Sequence, residues 1–222
     1  MTHDVSIPTI KDLLGLSPSS KQLVAYLAEL SLAVSLAISP TPEVKAYPDA
    51  VYFNYFALGI SLLFVPTNGY KPKPGAQKAD LDVTRLKLDG VDIYNVHKPR
   101  GSSDDARPAA RSPSNPLYSP YPISPISIPV SMEGKDNKPR PSDILRITPE
   151  MLGKEFVSFL GEPERKGGGS GPSSGSIGIW IEWSRDGLMV EFGGDDSRGP
   201  QAWDRGKDAI WRVISIFSVK PS

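Results

Sequence analysis

The sequence predicts an α+β fold built as two tandem units, each a helix followed by an antiparallel β-meander, joined by a Pro-rich linker. Three observations predict it. The two halves of the chain resemble one another, the apolar residues switch from helical to alternating period inside each half, and ten prolines crowd residues 99–142 between them. The expected boundaries are residues 1–98 for the first unit, 99–142 for a partly disordered Pro/Ser-rich linker, and 143–222 for the second unit.

The internal match is the most informative feature. Lys21-Gln22-Leu23-Val24-Ala25-Tyr26-Leu27 parallels Lys154-Glu155-Phe156-Val157-Ser158-Phe159-Leu160, Tyr55, Gly59 and Phe64 parallel Trp183, Gly187 and Phe192, and Arg85-Leu86-Lys87-Leu88 parallels Arg212-Val213-Ile214-Ser215. The offsets of 133, 128 and 127 fall in one direction, as loop deletions between fixed elements produce.

In the first unit, Leu23, Leu27, Leu30, Val34 and Ile38 recur at spacings of three and four, which predicts a helix over 20–38 capped by Ser19 or Ser20. Alternation then pairs Tyr55 with Ile60, Phe53 with Leu62 and Val51 with Phe64 across a tight turn that ends at Gly59. Asp89-Gly90 reads as a further hairpin turn. In the linker, residues 123–130 keep apolar positions between prolines and read as an edge segment lying against a folded half.

In the second unit, Thr148-Pro149-Glu150 predicts the start of a helix that stops at Gly161. The next hairpin pairs Trp183 with Leu188, Ile181 with Val190 and Ile179 with Phe192, ending its turn at Gly187. Those six side chains share a core face, while Asn54, Ser61, Glu182 and Glu191 point away from it. The two units are expected to pack on each other through their sheets or helices.

Composition narrows function. The chain has no Cys and only His3 and His97, so thiolate chemistry, Cys-ligated metals and disulfides are excluded and a His-dependent site has few sources. Lys and Arg balance Asp and Glu at 25 each, which argues against nucleic acid as a general partner. The apolar stretch over 23–38 is broken by Glu29 and is shorter than the roughly 20 residues that span a bilayer, so a cytoplasmic protein is expected.

No residue pattern reads as a catalytic, cofactor or metal site. Gly171-Pro172-Ser173-Ser174-Gly175 has the letters of a nucleophile elbow but sits in a Gly/Ser loop without the strand and helix that would strain Ser173. Glu182 and Glu191, one diagonal step apart, are the one candidate acid/base pair, and with Ser173 they support an alternative reading as a small hydrolase or carbohydrate-active enzyme. Asp89 with Asp92, like the other Asp pairs, lacks a calcium-loop pattern and reads as loop polarity. Trp180 and Trp203 are the candidate partner-binding residues, as exposed aromatic anchors.

Residues Tyr52-Phe53-Asn54-Tyr55-Phe56-Ala57-Leu58-Gly59-Ile60-Ser61-Leu62-Leu63-Phe64 resemble the phagosome assembly factor family of eukaryotes. The resemblance continues through Arg85-Leu86-Lys87-Leu88, Phe159-Leu160-Gly161-Glu162-Pro163, Gly187-Leu188-Met189-Val190-Glu191-Phe192 and Val213-Ile214-Ser215-Ile216-Phe217. It covers the family's C-terminal half alone. A polar insertion over 67–80 replaces the family's short turn. The resemblance implies a non-enzymatic scaffold acting in autophagy, with a β-propeller protein as partner and indirect association with phosphoinositide-containing membranes. It carries no catalytic residues.

Overall fold

A computed structural model of the chain describes residues 9–96, 118–134, 139–168, 178–194, 197, 199 and 201–219. The first half contributes a helix α1 (Lys21–Ala33) and strands β1 (Glu43–Ala46), β2 (Val51–Tyr55), β3 (Ile60–Pro66) and β4 (Leu86–Tyr94). A short ribbon follows, β5 (Ile126–Pro129) with β6 (Ile144–Ile147). The second half adds α2 (Gly153–Leu160), β7 (Arg165–Gly167), β8 (Trp180–Trp183), β9 (Leu188–Phe192), a one-turn helix α3 (Ala202–Arg205) and β10 (Trp211–Phe217). Helices and an extensive antiparallel sheet together make the α+β class.

Eight strands form one sheet in the order β1-β2-β3-β4-β10-β9-β8-β7. The halves therefore meet edge to edge, through Ile214 opposite Ile93 and Ser215 opposite Asp92, rather than by stacking sheets or helices. Both expected hairpin registers are present: Val51, Phe53 and Tyr55 face Phe64, Leu62 and Ile60, and Ile181 and Trp183 face Val190 and Leu188. The Phe192 amide donates to the Ile179 carbonyl at 3.0 Å and extends the second pairing. Each turn is a single 3-10 turn closed by a left-handed glycine, Gly59 at φ 63° and Gly187 at φ 60°.

The inner face of this sheet holds the core. Phe53, Phe64, Phe192 and Trp183 are fully buried there together with Leu23 and Leu30 of α1, Phe156 and Leu160 of α2, and Ile128 and Ile147 of the ribbon. Burying each such side chain contributes about 1.5–3 kcal/mol, so this layer dominates stability. Trp183 also satisfies its indole by donating to the Gly161 carbonyl at 3.0 Å.

Three expectations are corrected. The first helix stops at Ala33, because Ser35 turns to φ 59° and the Leu36 amide returns to the Ser31 carbonyl, which leaves Ile38 exposed. Ser20 caps its start, accepting from the Leu23 amide. The second helix begins at Gly153 rather than at Thr148: the Thr148 and Pro149 carbonyls accept from Trp211 and Asn95, the Met151 amide closes a turn on Thr148, and Leu152 bridges Ile210, so that stretch is a turn rather than helix. Asp89-Gly90 makes no hairpin turn. Strand β4 runs straight through it, and Asp89 is the extra residue of a bulge opposite Leu63 and Phe64. An equivalent bulge puts Arg212 between the partners of Glu191 and Phe192. The segment over 123–130 lies against the folded body: its strand β5 pairs with β6 outside the large sheet, and Ile126 and Ile128 enter the core.

Candidate functional site

The helices and the ribbon cover one face of the sheet, and alternation sends every second side chain to the other. Pairing sets Glu43, Asn54, Ser61, Asp92, Ser215, Met189, Glu182 and Arg165 side by side, one from each strand, across this outer face. Tyr94, Val213, Glu191 and Trp180 form the next row. A mostly polar row over an apolar inner face is the pattern of a sheet with one layer of cover.

At the middle of this face, polar groups are held rigidly. The Ser215 hydroxyl donates to Asp92 Oδ1 at 2.6 Å. Asn54, which is buried, accepts at Oδ1 from Ser61 at 2.7 Å and from Tyr118 at 2.9 Å. The Tyr118 ring stacks on Tyr94 with centroids 3.5 Å apart and planes 5° apart, and it tilts against Phe56 at 4.7 Å.

Tyr118 is brought there by the Pro-rich stretch. The Ser119 amide donates to the Phe56 carbonyl at 2.8 Å and the Tyr121 amide to the Tyr94 carbonyl at 2.9 Å. This backbone passes so close to Gly59 that a Cβ there would lie 2.4 Å from the Ser119 oxygen. Tyr121 then reaches inward, its hydroxyl paired with that of Tyr26.

Burial sets the electrostatics. It raises the Asp92 carboxyl above its ordinary range; the Ser215 hydrogen bond opposes this and the neighbouring Glu191 charge adds to it. Burial likewise raises the phenols of Tyr52, Tyr94 and Tyr118, each also facing the charge of Asp92. Tyr121 is pushed up to about 12 by the same cause.

The residues singled out from sequence fall around this centre. Glu182 is buried and occupied, accepting from Arg165 at 3.2 Å and from the Ser184 hydroxyl at 2.5 Å. Glu191 pairs with Arg212 at 3.5 Å. The two glutamates share the outer face, yet each has its own arginine. Trp180 lies on that face under the Arg165 guanidinium at 5.9 Å. Trp203 is exposed and faces Lys166 at 5.6 Å, and Lys166 alternates to the inner side of β7, so the two tryptophans flank opposite faces of the edge strand. Ser173, His3 and His97 lie outside the described residues.

Sequence alone does not single out Tyr94, Tyr118 or Ser215, and it reads Asp92, with Asp89, as loop polarity. Alternation in Val91-Asp92-Ile93-Tyr94 carries the signal for Asp92 and Tyr94, but that stretch reads as one arm of a hairpin turning at Asp89-Gly90. Among the described residues, no group of three or more His, Asp or Glu is arranged to hold a metal ion, and no helix is long and apolar enough to cross a membrane.

Where β4 ends and β10 begins, a cleft of about 250 Å³ opens between the halves, lined among others by Tyr94, Asn95, Tyr121, Ile147 and Trp211. Asn95 Nδ2 spans it, donating to the Pro149 and Trp211 carbonyls at 2.8 and 3.0 Å. Pro120, Ile123, Ile126 and Glu150 also line the cleft, and its Asn95 amide is already satisfied. The chain matches no protein-family model, no curated protein and no solved structure.

Proposed function

We propose that the protein is a duplicated, non-enzymatic interaction module that presents the outer face of its sheet to a protein partner. The observation that carries this is the face itself: eight strands wide, bare of helix among the described residues, with a fixed polar and aromatic centre. Its borders favour face docking over strand addition, because the edge strands β1 and β7 are short and carry Glu43, Lys45, Arg165 and Lys166.

Several features support duplication. Tyr52, Asn54, Ser61 and Leu63 correspond to Trp180, Glu182, Met189 and Glu191, all 128 positions apart, around two turns of one geometry. The two bulges align Leu88 with Trp211 and Asp92 with Ser215, an offset of 123 instead of the 127 read from the sequence. Residues 118–134 and 139–147 then act less as a spacer than as a strap tying the halves together.

The setting rests on the resemblance to the phagosome assembly factors, which points to autophagy, a β-propeller partner and a cytoplasmic place beside phosphoinositide-containing membranes. Affinity purification of the full chain from its native host tests it. The expected result is a β-propeller protein that is lost when Leu63→Asp is introduced on the face; a reproducible partner set without one removes the autophagic role.

A further inference from the structure

We propose that the centre of the outer sheet face is a docking point for a partner's arginine side chain, with the Asp92 carboxylate taking the charge and the stacked Tyr94 and Tyr118 rings beside it. The inference rests on the reading of that face as an interaction surface and names what the surface accepts.

Charge complementarity carries it. The other acidic side chains of these rows have cations of their own: Glu43 has Lys45 at 3.4 Å, Glu182 has Arg165 at 3.2 Å and Glu191 has Arg212 at 3.5 Å. Asp92, on a central strand, has no ion pair among the described residues, and its hydrogen bond is the one from Ser215 to Oδ1. It is half-buried, so it is partly withdrawn from water and still reachable. A carboxylate in that position is costly until a cation neutralises it, which makes it a receptor for one. Glu191 strengthens the negative field there, consistent with the raised Asp92 carboxyl.

The surroundings select arginine over lysine. A guanidinium is planar, stacks on aromatic faces and donates in a fork to a carboxylate, whereas an ammonium is a strongly hydrated point charge. Tyr94 and Tyr118 turn one face each to the other and Tyr118 also meets Phe56, so the second face of Tyr94, without a ring contact among the described residues, is the one left for a guanidinium, and Tyr118 is locked by Asn54. A cation over such rings is attracted by their quadrupoles as well. Ser61, across from Asp92 on β3, is buried, whereas Ser215, across from it on β10, is small and half-buried, so the approach to Asp92 lies on the β10 side.

The experiment is an amide NMR titration of the isotope-labelled full chain with a blocked tri-arginine peptide, run beside tri-lysine and tri-glutamate peptides and repeated on Asp92→Asn. The variant keeps an oxygen for Ser215 and so preserves the local bond. The expected result is saturable shifts centred on Ser61, Asp92 and Ser215, with binding weakened about tenfold or more in the variant and weaker for tri-lysine. Equal binding by the variant, shifts elsewhere on the surface, or none at all overturns the assignment. Shifts on this face with tri-glutamate instead would overturn the arginine assignment while keeping the face as a binding surface, so the two failures are told apart.

Discussion

Arg140 and Asp186 form a fully buried ion pair between the Pro-rich stretch and the turn at Ser184–Asp186, with Nη1 donating to Oδ1 at 2.9 Å and Nη2 lying 2.8 Å from Oδ2. Around it, Arg140 also donates to the Leu160 and Ser131 carbonyls, the Ser131 amide donates to Asp186, and Lys11 donates to the Asp186 and Pro129 carbonyls. Three distant segments thus converge on one turn.

Breaking that pair from one side leaves a charge buried without compensation. Arg140→Met is expected to cost about 3–5 kcal/mol in urea unfolding, and the double variant Arg140→Met with Asp186→Leu to recover much of it. A cost under about 1 kcal/mol for the single variant would mean that the strap contributes little to the fold.

Gly59 and Gly75 separate two effects of glycine. Both are left-handed, at φ 63° and 76°, but a Cβ at Gly75 meets nothing within 4 Å whereas one at Gly59 meets the Ser119 and Tyr121 backbone. Gly75→Ala should therefore cost only the conformational term of about 1–2 kcal/mol, and Gly59→Ala a further ~1–3 kcal/mol from overpacking. Equal losses in thermal unfolding would show that the strap does not lie against Gly59.

Asp92 gives the fold a pH dependence of definite sign. Its folded carboxyl titrates above the ordinary value of 3.8, so between that value and the raised one the folded state holds more protons and stability falls as pH rises. Above that window the cost of the ionised group is complete. Asp92→Asn is expected to unfold at a higher temperature than the parent at pH 7, with the gap closing as pH falls through that window to about 4. A gap that is independent of pH would contradict it.

Much of the sheet was legible because each strand carries its own alternation: Val51, Phe53, Tyr55 and Ile181, Trp183 dictate registers locally, and Gly59 and Gly187 mark the turns. The centre of the outer face was less so. Tyr118 and Asn54 meet across 64 residues, and Arg140 and Asp186 across 46, through a Pro-rich stretch whose polarity reads as solvated. An Asp-Gly pair favours a turn or a bulge, and only the strands on both sides of Asp89 decide for the bulge. Helix ends were misjudged where tertiary bonds compete, as the Thr148 carbonyl does with Trp211.

Site-specific photocrosslinking in the native host tests the outer face most directly. Photoreactive side chains would replace Tyr52 and Met189 on that face, and Val24 and Leu32, which are exposed on α1 at 53% and 70%. The account predicts one partner crosslinked from Tyr52 and Met189 and released by Asp92→Asn, with none from the helix; adducts from Val24 and Leu32 and none from the sheet would contradict it.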